Sequence, residues 1–276
     1  GGCYMGVNVL SLFDGMSCGR IALDRAGIDV DKYYSSEVDK FAIKVSEVNY
    51  PNIIQLGDVM GWKDWDIDWG SIDLLIGGSP CQGFSFAGKQ LAFDDPRSKL
   101  FFVYVDIMNH IKGINPDVKV MLENVKMKKE YLDIISSNLG EEPININSSL
   151  VTGMLRDRYY WCNWKVEPPL DKGITFQELL DSDEARVNKA PTLTATYYKG
   201  GGEATRQRNF LKRQRPIAWI DDNNTRHLTP VECERLQTVP ENYTSCVSKT
   251  QRYKMLGNGW TVDVISNIFK GLKEVL

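Results

Sequence analysis

The sequence predicts an α/β fold, a mostly parallel sheet with helices on both faces, carrying one small added module. Short apolar runs alternate with helix-forming stretches through the first 165 residues, the rhythm that builds parallel strands joined by crossover helices. SIDLLIGG (71–78) is apolar almost without interruption, which suits a strand covered on both sides better than one facing water. The 276 residues, 42% apolar and 25% charged, are enough to close a sizeable core and exclude a disordered chain.

The elements follow in order. NVLSLF (8–13) is a buried strand that ends in the tight turn DGMSCG, and GRIALDRAG continues as a helix up to its closing glycine. KYYSS (32–36) predicts a second strand ending at Glu37, followed by the helix FAIKVSEVNY, which Pro51 stops. IIQL (53–56) predicts a third strand leading to Gly57 and Asp58. After SIDLLIGG come a loop rich in Gly, Asp and Pro, a helix over 99–111 and the strand VKVMLENV (118–125). YLDIISSNLG reads as a helix closed by Gly140, and RYYWCNW (158–164) as an aromatic strand.

Composition changes after Pro168 and Pro169, which predicts a catalytic part over 1–165, a small module over 166–225 and a return segment over 226–276. The module holds a helical patch, TFQELLD (175–181), and the segment 199–215, with six basic residues against one acidic. That run is either a solvated loop or a nucleic-acid contact in a chain whose net charge is -3. RHLTPVECERLQTVP (226–240) predicts a Thr229-capped helix with Glu232 at capping-box spacing, and a last helix follows Gly259.

Other classes are disfavoured. The six cysteines are scattered and His110 and His227 are the only histidines, so neither a disulfide scaffold nor a zinc site is expected, and no structural metal is assigned. No basic segment precedes an apolar one at the start and no run approaches a membrane span. The expectation is a protein of the cytoplasm or nucleoid with no membrane partner; nothing specifies protein partners.

Two groups of residues carry chemistry. The turn FDGMSCG follows a strand in a sheet that binds ligands beyond its strand ends, yet Asp14 in that turn would repel a pyrophosphate and suits an ammonium group. Glu37 stands where an acid accepts from ribose hydroxyls, and Asp58 where one accepts from an adenine amino group, although both also suit ordinary strand-end turns. Together these needs match S-adenosylmethionine. The second group is Cys81, in SPCQGFS just beyond a buried strand, with Glu123 and Asn124 ending another. Cys81 reads as a reactive thiol or an ordinary one, and Glu123 as a proton donor to a ring nitrogen or a structural acid. In LRDRYYW, Arg156 and Arg158 point the same way if extended and suit a phosphate, a ring carbonyl or surface ion pairs.

FDGMSCG, the acid at 37, GD at 57–58, SPCQGFS, ENV, RDR, RHLTPVECERLQTVP and LGNGW occur in an order that closely resembles the cytosine-5 DNA methyltransferases, over nearly the whole chain outside 166–225. The resemblance implies a Rossmann-like S-adenosylmethionine-dependent methyltransferase sheet and methyl transfer to C5 of a cytosine flipped out of duplex DNA. Cys81 would attack C6, Glu123 would engage N3 and the amino group, Arg158 would hold O2, and Arg156 would orient or touch phosphate. Phe13, Asp14, Gly15, Ser17, Gly19, Glu37, Asp58, Pro80 and Asn258 would hold the cofactor, which leaves as S-adenosylhomocysteine. Gln82, Gly83 and Ser85 would close on DNA, and Arg206, Arg208, Lys212, Arg213 and Arg215 would contact its phosphates or base edges.

The chain departs from the family at Met154, where a glutamine is usual, and in the turn FDGMSCG. With the compact module and Trp260, these departures look nearer to the animal de novo subgroup than to long restriction-associated enzymes. Alternatives are methylation of tRNA, which a branch of the same family performs, and a non-catalytic DNA-binding relative. A zinc deaminase is excluded because the chain has neither His-x-Glu nor a second cysteine beside Cys81.

Overall fold

The computed structural model describes residues 6–79 and 96–276, with the backbone alone at 96–98. The sheet is built from β1 (Val7–Leu12), β2 (Val30–Ser36), β3 (Ile54–Gln55), β4 (Leu74–Gly77), β5 (Lys119–Val125), β6 (Pro143–Asn147) and β7 (Asp157–Cys162). Between its strands run α1 (Cys18–Ala26), α2 (Lys40–Asn49), α3 (Pro96–Ile114) and α4 (Lys129–Leu139). Beyond it lie α5 (Glu203–Leu211), the two-residue strands β8 (Ala218–Trp219) and β9 (Thr225–Arg226), then α6 (Pro230–Leu236), α7 (Lys249–Asn258) and α8 (Val262–Lys273).

Strand order is β3-β2-β1-β4-β5-β7-β6. Strands β1 to β5 pair in parallel, whereas β7 runs antiparallel to both β5 and β6. Alternate side chains enter opposite cores, as the period of two requires. Val9, Leu74, Ile76, Met121 and Tyr160 pack with α1, α2 and α8, while Leu10, Leu12, Leu75, Val120, Leu122 and Trp161 pack with α3 and α4. Both faces are therefore covered, which is why these strands read as continuous apolar runs.

Most expected elements form close to the expected bounds. Gly27 and Gly140 end α1 and α4 in the left-handed conformation, and the Thr229–Glu232 capping box opens α6. Four features differ. β6 is an additional edge strand, short and amide-rich, whose PININ composition carries little strand signal. The direction of β7 is set by pairing rather than by its own residues. TFQELLD yields a single turn, Gln177–Leu179, before Asp183 reverses the chain at φ 72°. α7 follows Ser248, which accepts from Gln251 N, a Ser-x-x-Gln start that the sequence displays in a polar stretch.

The module does not carry a large core of its own. Phe210, Ile217 and Trp219 form a small cluster, while Phe176, Ala190, Leu193 and Tyr197 join the larger core with α6 to α8.

Candidate active site

The order of the strands places β1 between β2 and β4, so the chain leaves β1 and β4 toward opposite sides at their C-terminal ends. An open parallel sheet has its ligand crevice at such a point. A cavity of about 400 Å³ lies there, lined by Phe13, Asp14, Gly15, Glu37 and Asn258 together with Glu123, Arg156 and Arg158. Eight residues expected from the sequence thus share one wall system, although they come from five separate segments.

The turn after β1 is tightly folded, with left-handed backbone at Phe13 (φ 56°), Gly15 (φ 58°) and Ser17 (φ 62°). Asp14 explains how non-glycine residues are held in it. Its Oδ1 accepts from Ser11 Oγ at 2.5 Å and Tyr33 Oη at 2.7 Å, and its Oδ2 from Ser17 Oγ at 2.5 Å and Ser35 Oγ at 2.8 Å. Four hydroxyl donors fill the four acceptor positions of a carboxylate, so Asp14 first of all ties the turn to β1 and β2. Burial still raises its pKa above the ordinary value against the opposing effect of these donors. Glu37 completes the turn, accepting from Gly15 N at 2.7 Å and from Val38 N and Asp39 N at 2.8 Å each.

Other expected cofactor residues stand further back. Ser17 is buried behind Asp14 and shares a hydrogen bond with Ser46. Gly19 is a packing glycine, since a Cβ there would meet Ile76 Cδ1 at 2.5 Å. Asp58 is exposed, accepts from Met60 N at 2.9 Å as the cap of a short turn, and is absent from the cavity lining. Pro80, Cys81, Gln82, Gly83 and Ser85 lie outside the described residues.

On the other side of the cavity, Glu123 is 9% exposed near the end of β5. Arg158 Nε lies 3.0 Å from its Oε1, and Trp260 Nε1 donates to its Oε2 at 3.0 Å. The antiparallel course of β7 makes this pairing possible. It sets Arg158 opposite Val125, so the beginning of β7 meets the end of β5. Asn124 takes no part in the ion pair; its Nδ2 donates to Ser79 Oγ at 3.3 Å and holds the exit of β4 beside β5. Burial pushes the thiol of Cys18, which also lines the cavity, up to about 12, so it is protonated and unreactive at neutral pH.

Arg156 is a correction to one expected use. It is 4% exposed and donates to Leu193 O at 3.0 Å, Gly257 O at 3.2 Å and Gly259 O at 2.9 Å. A guanidinium enclosed by three carbonyls cannot reach a DNA phosphate, but it does fasten the module and the return segment to the site. Met154, standing where the family usually has glutamine, is fully buried, and its sulfur accepts from Leu193 N at 3.3 Å.

Arg206 is a second correction. Its guanidinium donates to Thr225 Oγ1, Thr225 O, Gly201 O and Glu203 Oε2 at 2.6–3.1 Å, which engages four of its five N–H groups within the module. Arg208, Lys212 and Arg213 are exposed. Arg215 makes a long contact of 3.4 Å to Thr196 Oγ1 and keeps Nη1 buried without a partner.

Two further groups were not read from the sequence as site residues. Trp260 was visible in LGNGW but not its bond to Glu123, 137 positions away. Lys254 lines the cavity and pairs with Asp39 at 2.7 Å; Lys254 sits in α7, a helix that was not predicted. With Lys254 and Arg158 each paired to an acid, Asp14 and Glu37 are left with no cationic side chain as an ion-pair partner among the described residues. That lobe of the cavity favours a positively charged ligand.

Comparison with known proteins bears on the fold and the family. The chain is 30% identical to type II methyltransferase M1.ScrFI of Lactococcus lactis subsp. cremoris, over 97% of this chain and 78% of that one. It is 26% identical to type II methyltransferase M.HhaI of Haemophilus parahaemolyticus, over 95% and 93%. Among solved structures, a mutant of Spodoptera frugiperda DNMT2 superposes with a TM-score of 0.67 at 19% identity, covering 97% of this chain and 99% of its own. Entamoeba histolytica EhMeth gives 0.72 at 17%, covering 98% of each; at such identities the likeness establishes the fold. The family profile of the C-5 cytosine-specific DNA methylases matches residues 7–150 and 155–274, and with the sheet edge built as described, the chain belongs to that family.

Proposed function

We propose that this protein transfers a methyl group from S-adenosylmethionine to C5 of a cytosine flipped out of duplex DNA. One observation carries the reading: Glu123 and Arg158 are fixed as a pair on the wall of a cavity whose other end is a turn where the hydrogen-bonded acids Asp14 and Glu37 have no cationic side-chain partner among the described residues. That donor set fits a nucleoside joined to a cationic amino acid. When bound, S-adenosylmethionine supplies an electrophilic methyl group. Glu37 would accept from the ribose hydroxyls, Phe13 would cover the adenine, Asn258 and Gly15 would close the pocket, and the Asp14 lobe would favour the positive charge.

Cys81 follows Ser79 by two positions in the sequence. Asn124 holds Ser79, so the described chain leaves β4 beside the residue that follows Glu123. In the reading, the Cys81 thiolate adds to C6 of the base, electron density moves to C5, and C5 takes the methyl group. Loss of the C5 proton and departure of the thiolate then restore the ring. Glu123 hydrogen-bonds to or protonates N3, which makes C6 more electrophilic, and Arg158 keeps the acid and the base edge in register. The base has to leave the stack because neither face of C6 is open to a thiolate inside a duplex. We read 166–225 as the recognition module, with duplex DNA as partner and a type II modification role as the setting.

Bisulfite sequencing of random-sequence duplex DNA after incubation with the protein and S-adenosylmethionine tests reaction, substrate and target together. The expected result is protected cytosine within one short sequence context. Label found in tRNA and not in DNA, in a parallel reaction, would replace this reading with the RNA one.

A further inference from the structure

The carboxyl group of Glu123 is gripped from two directions. Arg158 Nε lies 3.0 Å from Oε1, reaching it from the start of β7. The indole of Trp260 donates to Oε2 at 3.0 Å from the segment between α7 and α8. A single contact leaves a carboxyl group free to rotate; an ion pair on one oxygen and a directional N–H on the other hold it from two sides, and the N–H is the contact that sets its plane.

Trp260 is itself held on both sides. The carbonyl before it, that of Gly259, accepts from Arg156 Nη2 at 2.9 Å and from Gln237 Nε2 at 3.1 Å. The residue after it, Thr261, donates its hydroxyl to Gln237 Oε1 at 2.8 Å. Arg156, Gln237 and Thr261 are buried, so these contacts do not compete with water. The backbone opposite leaves room for the pair. A Cβ at Gly78 would stand 2.9 Å from Glu123 Oε2 and 3.0 Å from Trp260 Nε1, and would push them apart.

We propose that Trp260 is a positioning residue for methyl transfer: its indole N–H, anchored through Gly259 by Arg156 and Gln237, sets the orientation in which Glu123 meets the pyrimidine ring. The inference rests on the role given to Glu123 above. It also gives the return segment a part in the chemistry, because the residues that close the cofactor cavity and the residue that aims the acid are consecutive, Asn258 to Trp260.

Trp260 also lines the cavity, so its ring has to be kept while its N–H is removed. Replacement by 3-benzothienylalanine does this, since sulfur takes the place of the N–H in a ring system of the same shape; Trp260→Phe is the encoded companion. Steady-state methyl transfer to a duplex oligonucleotide would be measured for each, alone and combined with Glu123→Gln. The expected result is a kcat lowered about tenfold by the isostere, with both KM values within about twofold of wild type. In the Glu123→Gln background, itself about a hundredfold slower, the isostere should cause no further loss. Unchanged kcat, a raised cofactor KM at full kcat, or an undiminished effect in the Glu123→Gln background would each overturn the proposal. A slow Glu123→Gln enzyme beside a silent isostere would overturn it and leave the proposed function standing, whereas a fully active Glu123→Gln enzyme would show that the role of Glu123 had failed first.

Discussion

At the sheet edge and in the basic segment 199–215 the chain deploys arginines in two different ways. At the edge, each is committed to a fixed acceptor within the fold: Arg158 to Glu123, Arg156 to three backbone carbonyls. In the basic segment only Arg206 is committed in that manner, to Glu203 and Thr225, while Arg208, Lys212 and Arg213 stand in solvent. A strand end gives a side chain a direction before any tertiary contact is known. A helix does not, since which side of α5 faces inward depends on what Phe210 packs against. Charge counted along a sequence therefore locates a candidate surface without saying which members face it.

The largest expected effect lies at the edge. Cys81→Ala should lower methyl transfer below detection while duplex DNA affinity, measured by fluorescence anisotropy, stays near wild type. A duplex containing 5-fluorocytosine should trap the wild-type protein covalently and fail to trap the variant. Methylation by the alanine variant would sink the covalent route altogether, and with it the contrast between a chemical edge and a binding module.

Next in size is the acidic lobe. Glu37→Ala removes the acceptor expected for the ribose and releases Gly15 N, Val38 N and Asp39 N from their common partner. Isothermal titration should show S-adenosylmethionine affinity falling by about tenfold to a hundredfold, the cost of one or two charge-assisted hydrogen bonds, with DNA affinity preserved. The reverse order of losses would mean that this end of the cavity receives nucleic acid.

How far these regions were legible follows from the same contrast. The glycine-bearing turn, Glu37 and Glu123 could be placed from the sequence because each sits where an apolar strand gives way to a turn, and a parallel sheet gathers strand ends along one edge; Asn258 came only from the resemblance carried by LGNGW. The pairing of Arg158 with Glu123 could not, because it depends on β7 running antiparallel, which is decided by β5 and β6 rather than by the residues of β7. Trp260 was visible as a residue and invisible as a donor because its partner lies 137 positions away, on β5. Asp58 offers less to go on. Its short-range role, accepting from Met60 N, is the common use of aspartate after a strand. The basic run was read as uniform because charge has no periodicity to mark Arg206, which turns inward to Glu203 and Thr225, or Arg215, which is partly buried.

Arg206 and Arg208, two positions apart on α5, sharpen the comparison within the module. Arg206→Ala strips Glu203 and Thr225 of their shared partner and should destabilise the protein by about 1–3 kcal/mol, read as a lowered denaturation midpoint. Arg208→Ala should leave that midpoint unchanged. Equal loss of stability from both would erase the distinction drawn between bracing and exposed arginines.

The smallest effect is the most informative about the exposed side. Arg208 and Arg213 are exposed, so replacing either with alanine removes charge without removing packing. If each meets one phosphate, its loss reduces the slope of log K against log salt by about 0.9, the counterion release per contact on duplex DNA. Measured near physiological salt this is only a several-fold change in affinity, small beside the effects at the edge. Measured as a slope it separates the two regions cleanly: Glu37→Ala should leave the slope alone, and Arg208→Ala should leave cofactor affinity alone. An unchanged slope for both arginine variants would move the DNA backbone away from Arg208 and Arg213, leaving Lys199, Lys212 and Arg215 as the basic residues of the run still to be tested.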